Sequence, residues 1–170
     1  MRSRYHGLCR FTKASGHIFI GMCKEGKANG KGVIRFATGE TYRGDWVNDR
    51  REGSGEGRWP DGTVYRGMWS RGTVNGFGNL KTSSGENYTG EFFSGMRHGK
   101  GRAEFANGDI LVGSFDKDRV HGHGVMRYGE TGNVYEGPWK FGKRHGTNAV
   151  LRLGDGGSYT GSFRDGSFDG

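Results

Sequence analysis

The chain has only two cysteines, Cys9 and Cys23, in 170 residues. That is too few, and too unpatterned, for the disulfide framework that staples small secreted domains. Both are expected to be reduced and to serve as small apolar fillers. A zinc ion shared between molecules by Cys9, Cys23 or His17 is the other reading open to them. Apolar residues are scarce as well: 31% of the chain is hydrophobic, which argues against a thick two-layer core. No apolar run approaches the roughly 20 residues a membrane-spanning helix needs, and MRSRYHGLCRFTK holds no apolar segment of a secretory leader. The expectation is a soluble, intracellular chain, in which the sequon Asn87-Tyr88-Thr89 has no role.

What is abundant is glycine, 36 residues of it, placed periodically. An aromatic-x-Gly-x-aromatic pattern, followed by glycines at its eleventh and thirteenth steps, begins at Phe19, Tyr42, Tyr65, Tyr88, Leu111, Tyr135 and Tyr159. The intervals are 23, 23, 23, 23, 24 and 24 residues. Within a unit, Tyr88, Gly90 and Phe92 alternate with polar neighbours, and after a turn Gly99, Gly101, Ala103 and Phe105 alternate again. Period two, twice, with Gly, Asn or Asp at both connections, predicts one β-hairpin per unit. A glycine-rich strand facing an aromatic-rich one leaves room for rings to lie across the backbone. The core is therefore expected from Tyr42, Trp46, Tyr65, Trp69, Tyr88, Phe92, Phe115, Tyr135 and Trp139.

The pattern YxGxWxxGxxHGxG at this spacing resembles the MORN (membrane occupation and recognition nexus) repeat over essentially all of residues 5–170. Departures stand at Cys23 and Leu111 for aromatics, Asp49 and Asp118 for the turn glycine, and Asn148 for the last glycine. The resemblance implies an all-β fold: an elongated, twisted single ribbon of consecutive antiparallel hairpins, used as a scaffold or accessory module without catalysis of its own. The phasing gives an N-terminal half-repeat (1–18), six full repeats starting at 19, 42, 65, 88, 111 and 135, and a C-terminal half-repeat (159–170). Fourteen strands so arranged would span about 65 Å. Neither end carries a recognisable cap, so the sequence is expected to be an excerpt or to pair at its ends.

Three tempting sites dissolve into the repeat. GMCKEGK (21–27) and GPWKFGK (137–143) match the GxxxxGK of a phosphate loop, but Ala28 and Arg144 stand where Ser or Thr would hold magnesium. His6, His98, His121 and His145 share one repeat position, yet successive repeats would stand about 9–10 Å apart, too far for one metal ion. Asn29, Glu52 and Asn75 fill the same position elsewhere, which suits a locally hydrogen-bonded turn residue. No nucleophile-base constellation rises above the repeat background. Neither an enzyme nor a bound cofactor is expected.

The net charge of +8 is segregated. Turns within hairpins sum to +7, and Lys27, Arg50, Arg51, Arg71, Arg97, Arg119, Lys140, Lys143 and Arg144 would form a basic edge. Turns between repeats carry Glu40, Asp61, Glu86, Asp109, Glu130 and Asp155, an acidic edge opposite. The N-terminal segment adds Arg2, Arg4, Arg10 and Lys13. A duplex laid along such a face would meet both signs, and rings packed on glycines cannot stack on bases, so nucleic acid is excluded as the main partner. Protein partners in a cytoplasmic cytoskeletal or membrane-cortex assembly are expected first. Weak binding of anionic lipid through the basic edge is the alternative, as is a regulatory segment of a lipid kinase or lysine methyltransferase. The last strand, Tyr159, Thr160, Gly161, Ser162 and Phe163, lacks a following strand in the sequence, which predicts a homodimer through that edge.

Overall fold

The structure is a computed structural model that describes residues 6–169. Arg2 and Arg4 of the basic N-terminal segment lie outside the described residues. Among those described there is no helix, and the strands follow one another as antiparallel neighbours. The chain divides into two compact units at Ser83/Ser84.

The first unit holds β1 (Gly7–Thr12), β2 (Ile18–Lys24), β3 (Lys27–Arg35), β4 (Thr41–Val47), β5 (Arg50–Arg58), β6 (Val64–Ser70) and β7 (Thr73–Lys81). The second holds β8 (Asn87–Phe93), β9 (Met96–Glu104), β10 (Ile110–Asp116), β11 (Arg119–Arg127), β12 (Val134–Lys140), β13 (Lys143–Arg144), β14 (Gly146–Arg152), β15 (Ser158–Arg164) and β16 (Ser167–Phe168). Each unit is an open sheet in which every strand pairs with its sequence neighbour, save that β12 takes both β13 and β14. The latter two are one strand interrupted at His145, whose amide donates to the Pro138 carbonyl (3.0 Å). The expected hairpins are present. β16 is an addition: Phe168 and Ser167 pair with Phe163 and Arg164, so the outer edge of β15 is partly covered within the chain, contrary to the uncovered edge the sequence suggested.

Hairpin turns are two residues long with positive φ at both, as in Asn48–Asp49 (48° and 67°) and Lys117–Asp118 (47° and 67°). This geometry matches the right-handed twist of the strands it joins. The two aspartates that depart from the repeat pattern have a use there: Asp49 Oδ1 accepts the Ala28 amide (2.8 Å), and Asp118 Oδ1 the Arg97 amide (2.9 Å). Both reach back one full repeat, where a glycine would supply no acceptor.

The core lies on one face of each sheet. All nine aromatics named from the sequence are buried, and Tyr42 and Tyr88 are inaccessible to solvent. The ring of Tyr42 lies over Gly44 and Gly55, where a Cβ at Gly55 would fall inside it. A register shift after Gly44 accompanies a bend that brings the Asp45 carbonyl to the Tyr42 hydroxyl, which donates to it at 3.0 Å. The same i→i+3 bond recurs at Tyr65, Tyr88, Tyr135 and Tyr159. Trp46, Trp69 and Trp139 donate Nε1–H to the carbonyls of Gly32, Gly55 and Gly124 (3.2–3.3 Å). Edge-on contacts at 5.0–5.5 Å link Phe19, Trp46, Tyr42, Trp69 and Tyr65 in order, a geometry that opposes ring edge to ring face. A thin sheet is held by a ladder of rings on a glycine floor.

Candidate functional site

The basic edge is not the row of free cations that the sequence suggested. Arg51, Arg97 and Arg144 turn inward. Arg51 Nη2 donates to the Gly72 carbonyl (2.6 Å), and its guanidinium carbon sits 4.4 Å from the Trp69 ring centroid. Arg144 repeats the arrangement with Gly166 (2.7 Å) and Phe163 (4.8 Å). Arg97 bonds the Asp118 carbonyl (2.9 Å) and the carboxylates of Glu86 and Asp118, over the rings of Tyr88 and Phe115. The physical reason is strand parity: these residues occupy the position that Ala28, Val74 and Val120 fill in the intervening repeats, and it faces the rings. Burial pushes the Arg51 guanidinium below its ordinary range, while Glu40 acts to raise it.

What remains exposed on that edge in the first unit is Lys27, Arg50 and Arg71, which with Val47 and Asn48 line a hollow of about 390 Å³. Glu52 also lines it, but its Oε2 accepts the Arg71 amide (2.9 Å). In the second unit Arg119 leans over Phe141 (5.7 Å), and Lys140 and Lys143 are exposed. The acidic edge is likewise committed in part to backbone. Asp61 accepts the Thr63 amide and hydroxyl (2.8 and 2.9 Å), which hold its carboxyl below the usual range, and Asp109 accepts the Gly129 amide (2.8 Å).

The repeated histidine position does not gather into a cluster. His98 faces Asp116 (3.5 Å) and His145 faces Asp165 (3.6 Å), whereas His121 lies tilted against Phe141 (4.9 Å) with its Nδ1 buried. Glu52 and His145 accept amides from the next turn, 19 and 20 residues on, not locally. Cys9 and Cys23 are bonded to each other as a disulfide between β1 and β2, which corrects the expectation of free thiols. The register explains it: Cys9 lies opposite Gly21 and Cys23 opposite Gly7, so the two sit diagonally on the ring face with Cα atoms 5.9 Å apart. Their sulfurs are thus not thiolate ligands, and His17 packs against Phe36 instead (5.1 Å). Among the described residues no cluster of three or more metal-ligating side chains occurs.

The sequence pointed to an exposed binding face but singled out no residue on the face opposite the rings. In the first unit it forms an open groove of about 610 Å³ that crosses the strands from β1 to β6. Its floor is backbone at a continuous row, with Gly21 opposite Gly32, Gly32 opposite Gly44, Gly44 opposite Gly55, and Gly55 opposite Gly67. One wall is the cross-strand row Ile20, Val33, Arg43, Glu56 and Arg66. Leu8, 79% exposed, stands at the β1 end. Lys31 is paired with Asp45 (2.7 Å), and Glu56 with both Arg58 and Arg66 (2.6 Å each). Burial would raise the Glu56 carboxyl, but hydrogen bonds from the two arginines outweigh it and hold it low. A period-two reading marks these positions as merely polar-facing; the clue is that Leu8, Ile20, Met22 and Val33 break that polarity.

The MORN repeat model matches residues 19–41, 42–64, 88–110, 112–130 and 135–147, more than half of the chain. Residues 65–87 are not among the matched segments, although Tyr65 and Trp69 there make the same contacts as Tyr42 and Trp46. Curated proteins give no significant match. Among solved structures, the TCP domain of Drosophila melanogaster SAS-4 (dCPAP), in complex with a proline-rich motif of Ana2 (dSTIL), is 15% identical with a TM-score of 0.47, covering 89% of this chain and 87% of that one. The wild-type TCP10 domain of Danio rerio CPAP, in complex with a peptide of Danio rerio STIL, is 14% identical with a TM-score of 0.30, covering 90% and 72%.

Proposed function

The chain belongs to the MORN repeat family, and from that premise we propose that it is a non-enzymatic scaffold whose sheet binds other proteins. The observation that supports this is the division of labour between faces. The rings, tyrosine hydroxyls and indole N–H groups of one face are spent on the core. The other face keeps exposed apolar and charged side chains over a backbone floor, as a docking surface does. A partner in a cytoskeletal or membrane-cortex assembly fits such a module. The test is capture from native lysate by the wild-type chain and by Val33→Asp, an exposed change outside the core. A partner retained equally by both would remove the groove face from the reading.

Anionic membrane surfaces are a second reading, favoured by the convergence of Lys27, Arg50 and Arg71 on one hollow. With Arg51, Arg97 and Arg144 engaged inside the fold, fewer cations remain to attract lipid, at about 1 kcal/mol each near a membrane. Flotation with phosphatidylserine vesicles at physiological salt tests it. Binding unaffected by Arg50→Glu and Arg71→Glu together would dismiss that hollow as a lipid site.

A further inference from the structure

Resting on the protein-binding reading of this face, we infer that the groove across β1–β6 takes an amphipathic helix whose apolar end lies over β1–β3 and whose acidic end lies over β4.

The direction of the groove selects the kind of segment. It runs across the strands, so its side chains recur at the inter-strand spacing of about 4.8 Å. Side chains on one face of a helix recur three and four residues apart, with Cβ atoms about 5–6 Å from each other. An extended chain presents same-side residues about 6.8 Å apart and falls out of step within two strands. Five inter-strand steps cover about 24 Å, the length of a helix of about 16 residues. The floor suits this shape, since the glycine row between the walls offers only backbone to the approaching segment. The floor is paired strand to strand and the Ser54 amide is taken by Asp45 Oδ2 (3.2 Å), so the occupant must satisfy its own backbone polar groups. A helix does so and an isolated strand does not.

The chemistry of the walls sets the polarity of the occupant. At the β1–β3 end Leu8, Ile20 and Val33 are 79%, 48% and 42% exposed. Adjacent strands place Ile20 opposite Val33, and Val33 opposite Arg43. Of the three cations lining the groove, Lys31 and Arg66 already hold carboxylates. Arg43 makes no ion pair among the described residues. Glu56 stands opposite it but is held by Arg58 and Arg66, so among the described residues Arg43 is the groove cation left without an ion pair, and a carboxylate on the partner would supply one. Apolar side chains followed by an acidic one, all on one helical stripe, match Ile20, Val33 and Arg43 in order, with Leu8 lying diagonal to Ile20, opposite Met22.

The probe is a capped helical peptide of about 18 residues with Leu at i, i+4 and i+7 and Glu at i+11, its remaining positions Ala and Gln. We expect saturable binding by fluorescence anisotropy, with amide shifts in NMR confined to residues near Leu8, Ile20, Val33 and Arg43. Arg43→Glu and Ile20→Asp are each expected to weaken binding at least about tenfold. Arg43→Gln, which keeps shape without charge, should fall between, and unchanged circular dichroism shows that the variants fold. Replacing the Glu of the peptide by Lys should reverse the order, with Arg43→Glu binding better than the parent. Absence of binding overturns the inference, as does equal binding of the Glu and Lys peptides, or of a version broken by two central prolines. If the probe does not bind while lysate capture still depends on Val33, the protein-binding reading stands and only the acidic-helix inference fails.

Discussion

Arg51 holds Gly72 in two directions: the Gly72 amide donates to the Arg51 carbonyl at 2.9 Å, and Arg51 Nη2 donates back to the Gly72 carbonyl at 2.6 Å. The side chain thus ties one hairpin to the turn of the next while its guanidinium covers the Trp69 ring.

Arg51→Ala removes a charge-assisted hydrogen bond and a stacked cation together, and is expected to destabilise the first unit by about 2–3 kcal/mol in urea titration. Its neighbour Arg50 is exposed on the opposite face, so Arg50→Ala should stay within about 0.5 kcal/mol. Equal effects from the two would mean that the inward geometry of Arg51 contributes nothing.

Trp69→Ala is expected to cost about 3–5 kcal/mol, since a 3% exposed indole and its bond to Gly55 are both lost. Gly55→Ala should cost about 1–3 kcal/mol by overpacking, because the new methyl meets the Tyr42 ring. An unchanged melting temperature for either would move the rings out of the core.

Burial pushes the hydroxyls of Tyr42, Tyr65, Tyr88 and Tyr135 up to about 12, with Asp45 adding to the effect at Tyr42. The folded state therefore holds protons that the unfolded chain releases near pH 10, so stability is full below pH 10 and falls as pH rises toward 12. Absorbance at 295 nm should show these tyrosines ionising late and together with unfolding. Titration of all tyrosines near pH 10 with the fold intact would contradict the packing.

Closing a loop of 14 residues, the Cys9–Cys23 bond is expected to contribute about 3 kcal/mol through the unfolded state. Dithiothreitol should lower the melting temperature of the parent and leave the Cys9→Ser, Cys23→Ser double variant unaffected. Hydrogen exchange should place the loss in β1 and β2. A melting temperature indifferent to reductant would show that the bond does not constrain the chain.

Much of this fold could be read in one dimension, because each 23-residue unit satisfies its own turn and strand requirements and the next unit repeats them. The ring-on-glycine core follows from period two, since Tyr42, Gly44 and Trp46 must share a face whatever their surroundings. The inward arginines were also within reach: Arg51, Arg97 and Arg144 alternate with Ala28, Val74 and Val120 at one position, and apolar residues in half the copies mark it as ring-facing. What misled was proximity in sequence, which groups Arg50 with Arg51 although the pleat sends them to opposite faces.

The sequence by itself determined the strands, their order and the face that carries the rings, all of which depend on residues at most one repeat apart. Tertiary structure alone decided which charges are free and where a groove lies. Lys31 is neutralised by Asp45, and Glu56 by Arg58 and Arg66, while Arg43 between them makes no ion pair among the described residues. That outcome depends on side-chain geometry across neighbouring strands, and a groove walled by one residue from each of six strands exists only after all six have paired.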